Sequence, residues 1–169
     1  GLYADIVSSD AYRDAKLRTA LDTLPDLLGP NADSLDLHFV DIDGITHDTA
    51  DVVLVSNNPY VLDSLGGVGT RPRMDAGVLG VVSLTLTSAT EARRFLALET
   101  AGQVDRFPGW EQWTTPRFEV TSDGPVQVGV DGEALTMDSP VVFEVVPAAV
   151  TMLIPPQAPG RSPAARAMS

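Results

Sequence analysis

Residues able to do chemistry are scarce in this chain. Its 169 residues include two histidines and no cysteine. Cysteine nucleophiles, disulfides and thiolate metal sites are therefore excluded. His38 and His47 belong to no HxxxH or HExxH pattern. That rules out a histidine-rich metal centre, and both read as surface or edge side chains. A Ser-His-Asp hydrolase finds no support, since no GxSxG elbow occurs and neither histidine lies in a glycine-rich loop. What remains is carboxylate chemistry. Glu133 follows the strand-like VQVGV and an Asp131-Gly132 turn. A carboxylate held at a strand tip can take a proton from an attacking hydroxyl within hydrogen-bond reach. A solvated Glu after a hairpin turn is the plain alternative. Asp75 lies in RPRMDAG. A carboxylate in a Gly-bearing turn with exposed carbonyls can hold a hard cation such as Mg²⁺, though Asp-x-Gly is also an ordinary turn. Arg71 and Arg73 suit phosphate or carboxylate recognition. Trp110 and Trp113, in FPGWEQWTTP, fall in a Pro-bearing connection, where they cap a core edge in preference to lining a ligand groove.

The elements that must position these residues can be read from hydrophobic period. Ser8, Ser9 and Asp10 offer N-caps for a helix over 11–28, bent by Pro25. Residues 35–40 alternate as a half-buried strand, Asp43-Gly44 marks a hairpin turn, and 45–47 return. Residues 51–56 read as a more fully buried strand, and 79–86 as a further strand. Between them runs a long glycine-bearing loop, 57–77, which opens on Asn57-Asn58. Loops of that length tend to be functional or disordered. Ser88 and Glu91 fit a capping box for a helix over 89–101 closed by Gly102, with Ala92, Phe95, Leu96 and Leu98 on its apolar face. Strands follow at 117–121, 126–130, 134–137, 141–146 and 149–154, spaced as in a sandwich or barrel. The predicted fold is mainly β, an antiparallel β-sandwich with one or two helices. It spans 1–155, and an irregular tail covers 156–169.

The net charge of −12 disfavours nucleic acid and nonspecific contact with anionic membranes. No apolar run approaches the ~18 residues of a membrane-spanning helix. Neither GxGxxG nor GxxxxGK[ST] occurs, so a Rossmann or P-loop unit is absent from this sequence. The chain opens on Gly1 and reads as beginning inside a longer protein.

Taken in order, NNPY, a Gly-rich loop, RPRMDAGVLGVV, a helix, QVGVDGEAL and PVVFEVVPAAVTMLIP resemble the C-terminal half of the bacterial diacylglycerol kinase-like lipid kinases, relatives of sphingosine kinase. The closing stretch matches through Glu144, Val145, Pro147, Ala149 and Pro155. This resemblance implies two domains: a nucleotide-binding α/β unit carrying GGDGT, and a β-sandwich on the lipid side. ATP and Mg²⁺ are then the expected cofactors, bound between the two. The resemblance makes Glu133 the catalytic base. It assigns Asn57 and Lys16 to the nucleotide side, and Asp75, with carbonyls near Arg73 and Val78, to a metal site. Ala76 departs from the acid often found in the Asp-Asp-Gly of relatives, and GGDGT is absent from the 169 residues. The expected partners are an N-terminal nucleotide-binding domain, a lipid alcohol and, through the exposed interdomain surface, a second copy of the chain. This chain alone is expected to be inactive. The expected location is the cytoplasm, with peripheral attachment at the inner face of the membrane as the other option. A non-enzymatic β-sandwich binding module and an NAD kinase-like domain, which shares the same plan, are the rival readings.

Overall fold

Strand β4, Leu79–Leu84, is buried at all six positions and organises the molecule. The computed structural model describes residues 36–61, 72–131, 133–151 and 153. The expected 11–28 helix, Lys16, Arg71, the middle of the 57–77 loop and the 156–169 tail lie outside the described residues. The element order is β1 (Phe39–Val40), β2 (Thr46–His47), β3 (Val52–Asn57), β4, α1 (Ala89–Thr100), a 3₁₀ turn (Val104–Arg106), β5 (Trp110–Thr115), β6 (Arg117–Val120), β7 (Val126–Val130), β8 (Glu133–Met137) and β9 (Val141–Glu144).

β3, β4 and β5 form an antiparallel sheet with β4 in the middle. Because side chains alternate across a strand, the register sorts this sheet into two faces. Val53, Val55, Leu79, Val81 and Trp113 share the odd-numbered face with the aromatic residues of the second layer. Val52, Leu54, Val82, Leu84 and Trp110 share the even-numbered face with the helix. A strand covered on both sides reads as a nearly continuous apolar run, and LGVVSL is one.

The second layer comes from two short pairs, β1–β2 and β6–β9. A double bridge joins them: the His38 N–H donates to the Thr121 carbonyl at 2.8 Å, and the Thr121 N–H donates back at 2.9 Å. This change of partner at His38 is why the expected 35–40 strand shortens to Phe39–Val40. Phe39, Phe118 and Trp113 pack ring on ring, with centroids 5.6–6.2 Å apart.

The other face is closed by α1. Ser88 Oγ accepts the Glu91 N–H at 3.2 Å, as a capping box requires. The Glu91 carboxylate reaches one residue further back than expected and accepts the Thr87 N–H and hydroxyl. At the C-terminus Gly102 takes φ 65°, its N–H bonds Glu99 and the Gln103 N–H bonds Leu98. That is a Schellman closure, which favours glycine at its left-handed position. Phe95 packs edge-on to Phe107 and stacks on Trp110.

Two expectations are corrected. Trp110 and Trp113 are not in a connection. They lie on β5, three residues apart, so they point to opposite faces and each enters a different core. The described residues of 149–154 form no strand. After β9 the chain turns at Ala148, φ 55°, and Pro147 has no N–H to give a ladder. Strand 141–146 stops at Glu144 for the same reason, although the Val145 N–H still reaches the Pro116 carbonyl. Among the described residues no helix is long and apolar enough to cross a membrane.

Phe95 is fully buried and anchors α1 to the sheet. Phe95→Ala is expected to lower unfolding stability by about 3–5 kcal/mol, measured by urea denaturation. A loss below about 1 kcal/mol would show that the helix is not held through this side chain.

Candidate functional site

At one end of the central sheet, β3 gives way to Asn58-Pro59 and β4 begins at Leu79. Asn57 pairs with Leu79 across this end. Asn58 is buried at 4% exposure and sits at φ 67°. Asn tolerates this left-handed conformation better than most residues because its short side chain bonds locally. Here that side chain ties two segments together. Its Oδ1 accepts the Ala76 N–H at 2.8 Å, and its Nδ2 donates to the Met74 carbonyl at 3.1 Å. The Asn58 N–H donates to the Val78 carbonyl at 3.1 Å. Pro59 then crosses so close to β4 that a Cβ on Gly80 would stand 2.5 Å from the proline Cα. Only glycine fits there. Across the same loop, the Pro147 ring lies 3.8 Å from the position of a Cβ on Gly77. The segment after β9 therefore packs onto the Asp75-Ala76-Gly77 turn.

The structure thus brings Asn57, Arg73, Asp75 and Val78 to one sheet end. Their chemistry there is specific. Asp75 Oδ1 accepts from Arg73 Nε at 3.2 Å, and the Val78 carbonyl serves the Asn58 amide. A guanidinium beside the carboxylate opposes a second cation, and two of the candidate oxygens already face protein donors. Glu133 lies on a different strand pair. It opens β8 in the separate β7–β8 pair, exposed, next to the turn at Asp131 with φ 49°. Its partner across the ladder is Val130.

A second cluster lies on the odd-numbered face of the same sheet, towards the end away from Asn57. His47 Nε2 is 2.8 Å from Asp41 Oδ2 and 3.3 Å from Glu111 Oε2. The His47 ring lies parallel to Phe39, centroids 4.8 Å apart, so it is not the surface histidine its sequence context suggests. The hydrogen bond from His47, with amide donors from Ile45 and Asp43, holds the Asp41 carboxyl below its usual range. His38 is paired with Asp36 at 2.8 Å. The Asp36 carboxyl is also lowered, first by the Asp123 amide. Asp51, half-buried, is pushed up by desolvation, against the pull of the Leu86 N–H it accepts. Sequence spacing could not reveal the Asp41–His47–Glu111 group, because Glu111 reaches it only through the strand order. The role of Asn58 as a clamp was similarly hidden in a dipeptide that reads simply as polar.

With this fold and geometry, the chain belongs to the family of the YegS C-terminal NAD kinase β-sandwich-like domain, whose model matches residues 6–154. Among curated proteins none matches. A solved structure described as a candidate diacylglycerol kinase of Bacillus anthracis str. Sterne is similar with TM-score 0.52 and 19% identity, covering 81% of this chain and 50% of that one. A second structure, also described as a candidate diacylglycerol kinase of that organism, gives TM-score 0.54 and 17% identity, covering 83% and 46%. The chain thus spans about half the length of these structures, and at such identities the likeness is one of fold.

Asn58→Ala removes three side-chain bonds, one of them from Nδ2 to Asn57 Oδ1 at 3.3 Å, and leaves the Ala76 N–H and the Met74 carbonyl without theirs. The expected loss is about 2–4 kcal/mol, read from chemical denaturation. Asn58→Gly, which relieves the backbone but not the lost bonds, is expected to recover only part of it. Full recovery by Gly would mean that backbone conformation, and not the clamp, is what Asn58 supplies.

Proposed function

We propose that this chain is the lipid-side domain of a diacylglycerol kinase-like enzyme. The reaction moves the γ-phosphoryl group of ATP to the hydroxyl of a lipid alcohol. The observation that carries this reading is the family match over residues 6–154. The similar solved structures are described as candidate diacylglycerol kinases, and the match covers about half of each. In this proposal Glu133 takes the proton from the lipid hydroxyl as its oxygen attacks the γ-phosphorus and ADP leaves. Exposure at the mouth of the β7–β8 hairpin suits a base that must meet a substrate from outside. Positioning and neutralising the phosphates is the larger part of such a reaction. That task falls to a nucleotide-binding partner domain, to whose side the resemblance assigns Lys16 and Asn57, and this chain alone is then inactive. No step is assigned to an ion at Asp75. The lipid would be met at the inner face of the membrane.

The family description also names an NAD kinase-like sandwich, which supports a second reading with NAD as the phosphoryl acceptor. Both readings are tested with the chain in its full reading frame, offered ATP with diacylglycerol in mixed micelles or with NAD. Phosphorylation of diacylglycerol is expected. Glu133→Gln should then lower kcat by roughly 10²–10⁴-fold with little change in KM for ATP. An unchanged kcat would remove Glu133 from its role, and phosphorylation of NAD alone would favour the second reading. No transfer to either acceptor would leave the β-sandwich as a binding module.

A further inference from the structure

We propose that Asp41, His47 and Glu111 form a binding site for one divalent first-row transition ion, with Zn²⁺ the ion that fits best. The site does not rest on the kinase reading. Its three ligand atoms, Asp41 Oδ2, His47 Nε2 and Glu111 Oε2, lie within 4.8 Å of one another. Metal bonds of about 2.0–2.2 Å in tetrahedral geometry place ligand atoms roughly 3.3–3.5 Å apart. The His47–Glu111 separation of 3.3 Å already meets this. The Asp41–His47 separation of 2.8 Å is a hydrogen bond that opens by roughly half an ångström when an ion replaces the proton.

Each ligand is held by something other than the cluster. Asp41 Oδ1 accepts the N–H groups of Asp43 and Ile45 at 2.8 and 2.9 Å, which leaves Oδ2 aimed at His47. The Asp41 side chain is only 5% exposed. His47 is fixed by its stack on Phe39, itself in the core. Glu111 is on β5, paired with Ser83 of the central strand. Such outer support is what orients ligands at metal centres. Charge points the same way. Two carboxylates converge on one imidazole nitrogen, which carries at most one proton to share between them. A dication satisfies both, and a ligand set of one nitrogen and two oxygens suits a transition ion better than Mg²⁺. Water would complete the four positions. The ion would tie the β1–β2 hairpin of one layer to the sheet of the other.

The nearby Asp36–His38–Asp123 group is a built-in control. Its carboxylate is oriented in the same way, by the Asp123 N–H and the Ser122 hydroxyl on Asp36 Oδ2, but its His38 and Asp36 side chains are 38% and 49% exposed, so water competes there for an ion.

The test is calorimetric titration of the chelator-stripped chain with Zn²⁺ and, separately, Mg²⁺, with thermal unfolding in parallel. Variants are Glu111→Gln, His47→Gln and His38→Gln. Glu111 is partly exposed, so its variant is expected to fold with the metal-free Tm of the wild type. One Zn²⁺ per chain should bind at this cluster and raise Tm, since an ion that binds only the folded state stabilises it. Glu111→Gln should weaken binding by at least about tenfold, the scale of losses at metal-site neighbours, and abolish the rise in Tm. His38→Gln should leave both intact. The proposal is overturned if Zn²⁺ leaves Tm unmoved, if Glu111→Gln binds as tightly as wild type, if the effect follows His38, or if Mg²⁺ raises Tm equally.

Discussion

Everything described here depends on β4 being covered on both faces. Its odd-numbered side chains meet the aromatic layer of Phe39, Trp113 and Phe118, and its even-numbered ones meet the helix and Phe107. A strand in that position cannot slip by one residue without turning each core residue to the wrong face. The register with β3 and β5 is therefore fixed, and so are the two ends of the sheet. One end carries Asn57 and the loop from Arg73 to Val78. The odd-numbered face near the other end carries Glu111 towards His47. Rigid placement of functional groups by a sheet interior is a general way to hold a site without holding the loops around it.

The loop end shows how that rigidity is passed outward. Buried polar groups must be hydrogen-bonded, and Asn58 meets this by bonding Ala76, Met74 and Val78 at once. Pro59 pressing on Gly80 and Pro147 resting beside Gly77 add steric limits from two other parts of the chain. In the closing segment Pro147 thus sits against the Gly77 turn. By contrast β8, which begins with Glu133, is exposed at all five positions. A hairpin of two strands gains little stability alone, so the catalytic proposal places its base on the less supported part of the fold.

Much of the scaffold was legible in sequence because its causes are local. The capping residues, the Gly102 stop and the apolar face through Phe95 and Leu98 specify α1 within one or two residues. β4 and β7 could be read from their valines. The resemblance carried by the DGE turn and the closing strand pointed to the family before any coordinates did. What could not be read was non-local. WEQW looks like a connection because prolines flank it, yet both tryptophans are drawn into a strand by cores on opposite faces. The 149–154 stretch has the composition of a strand, yet its described residues form none, since the chain turns at Ala148. The Asp41–His47–Glu111 group needs strand order to exist at all. No periodicity in a single sequence contains that.

The claim that β4 holds the assembly is tested most directly by amide hydrogen exchange followed residue by residue in the native chain. The account predicts that Val81 and Val82 exchange last, at the limit set by global unfolding, and that the Asn58 amide exchanges far more slowly than the amides around Glu133. Exchange of the β4 amides as fast as those of the β7–β8 hairpin would contradict it.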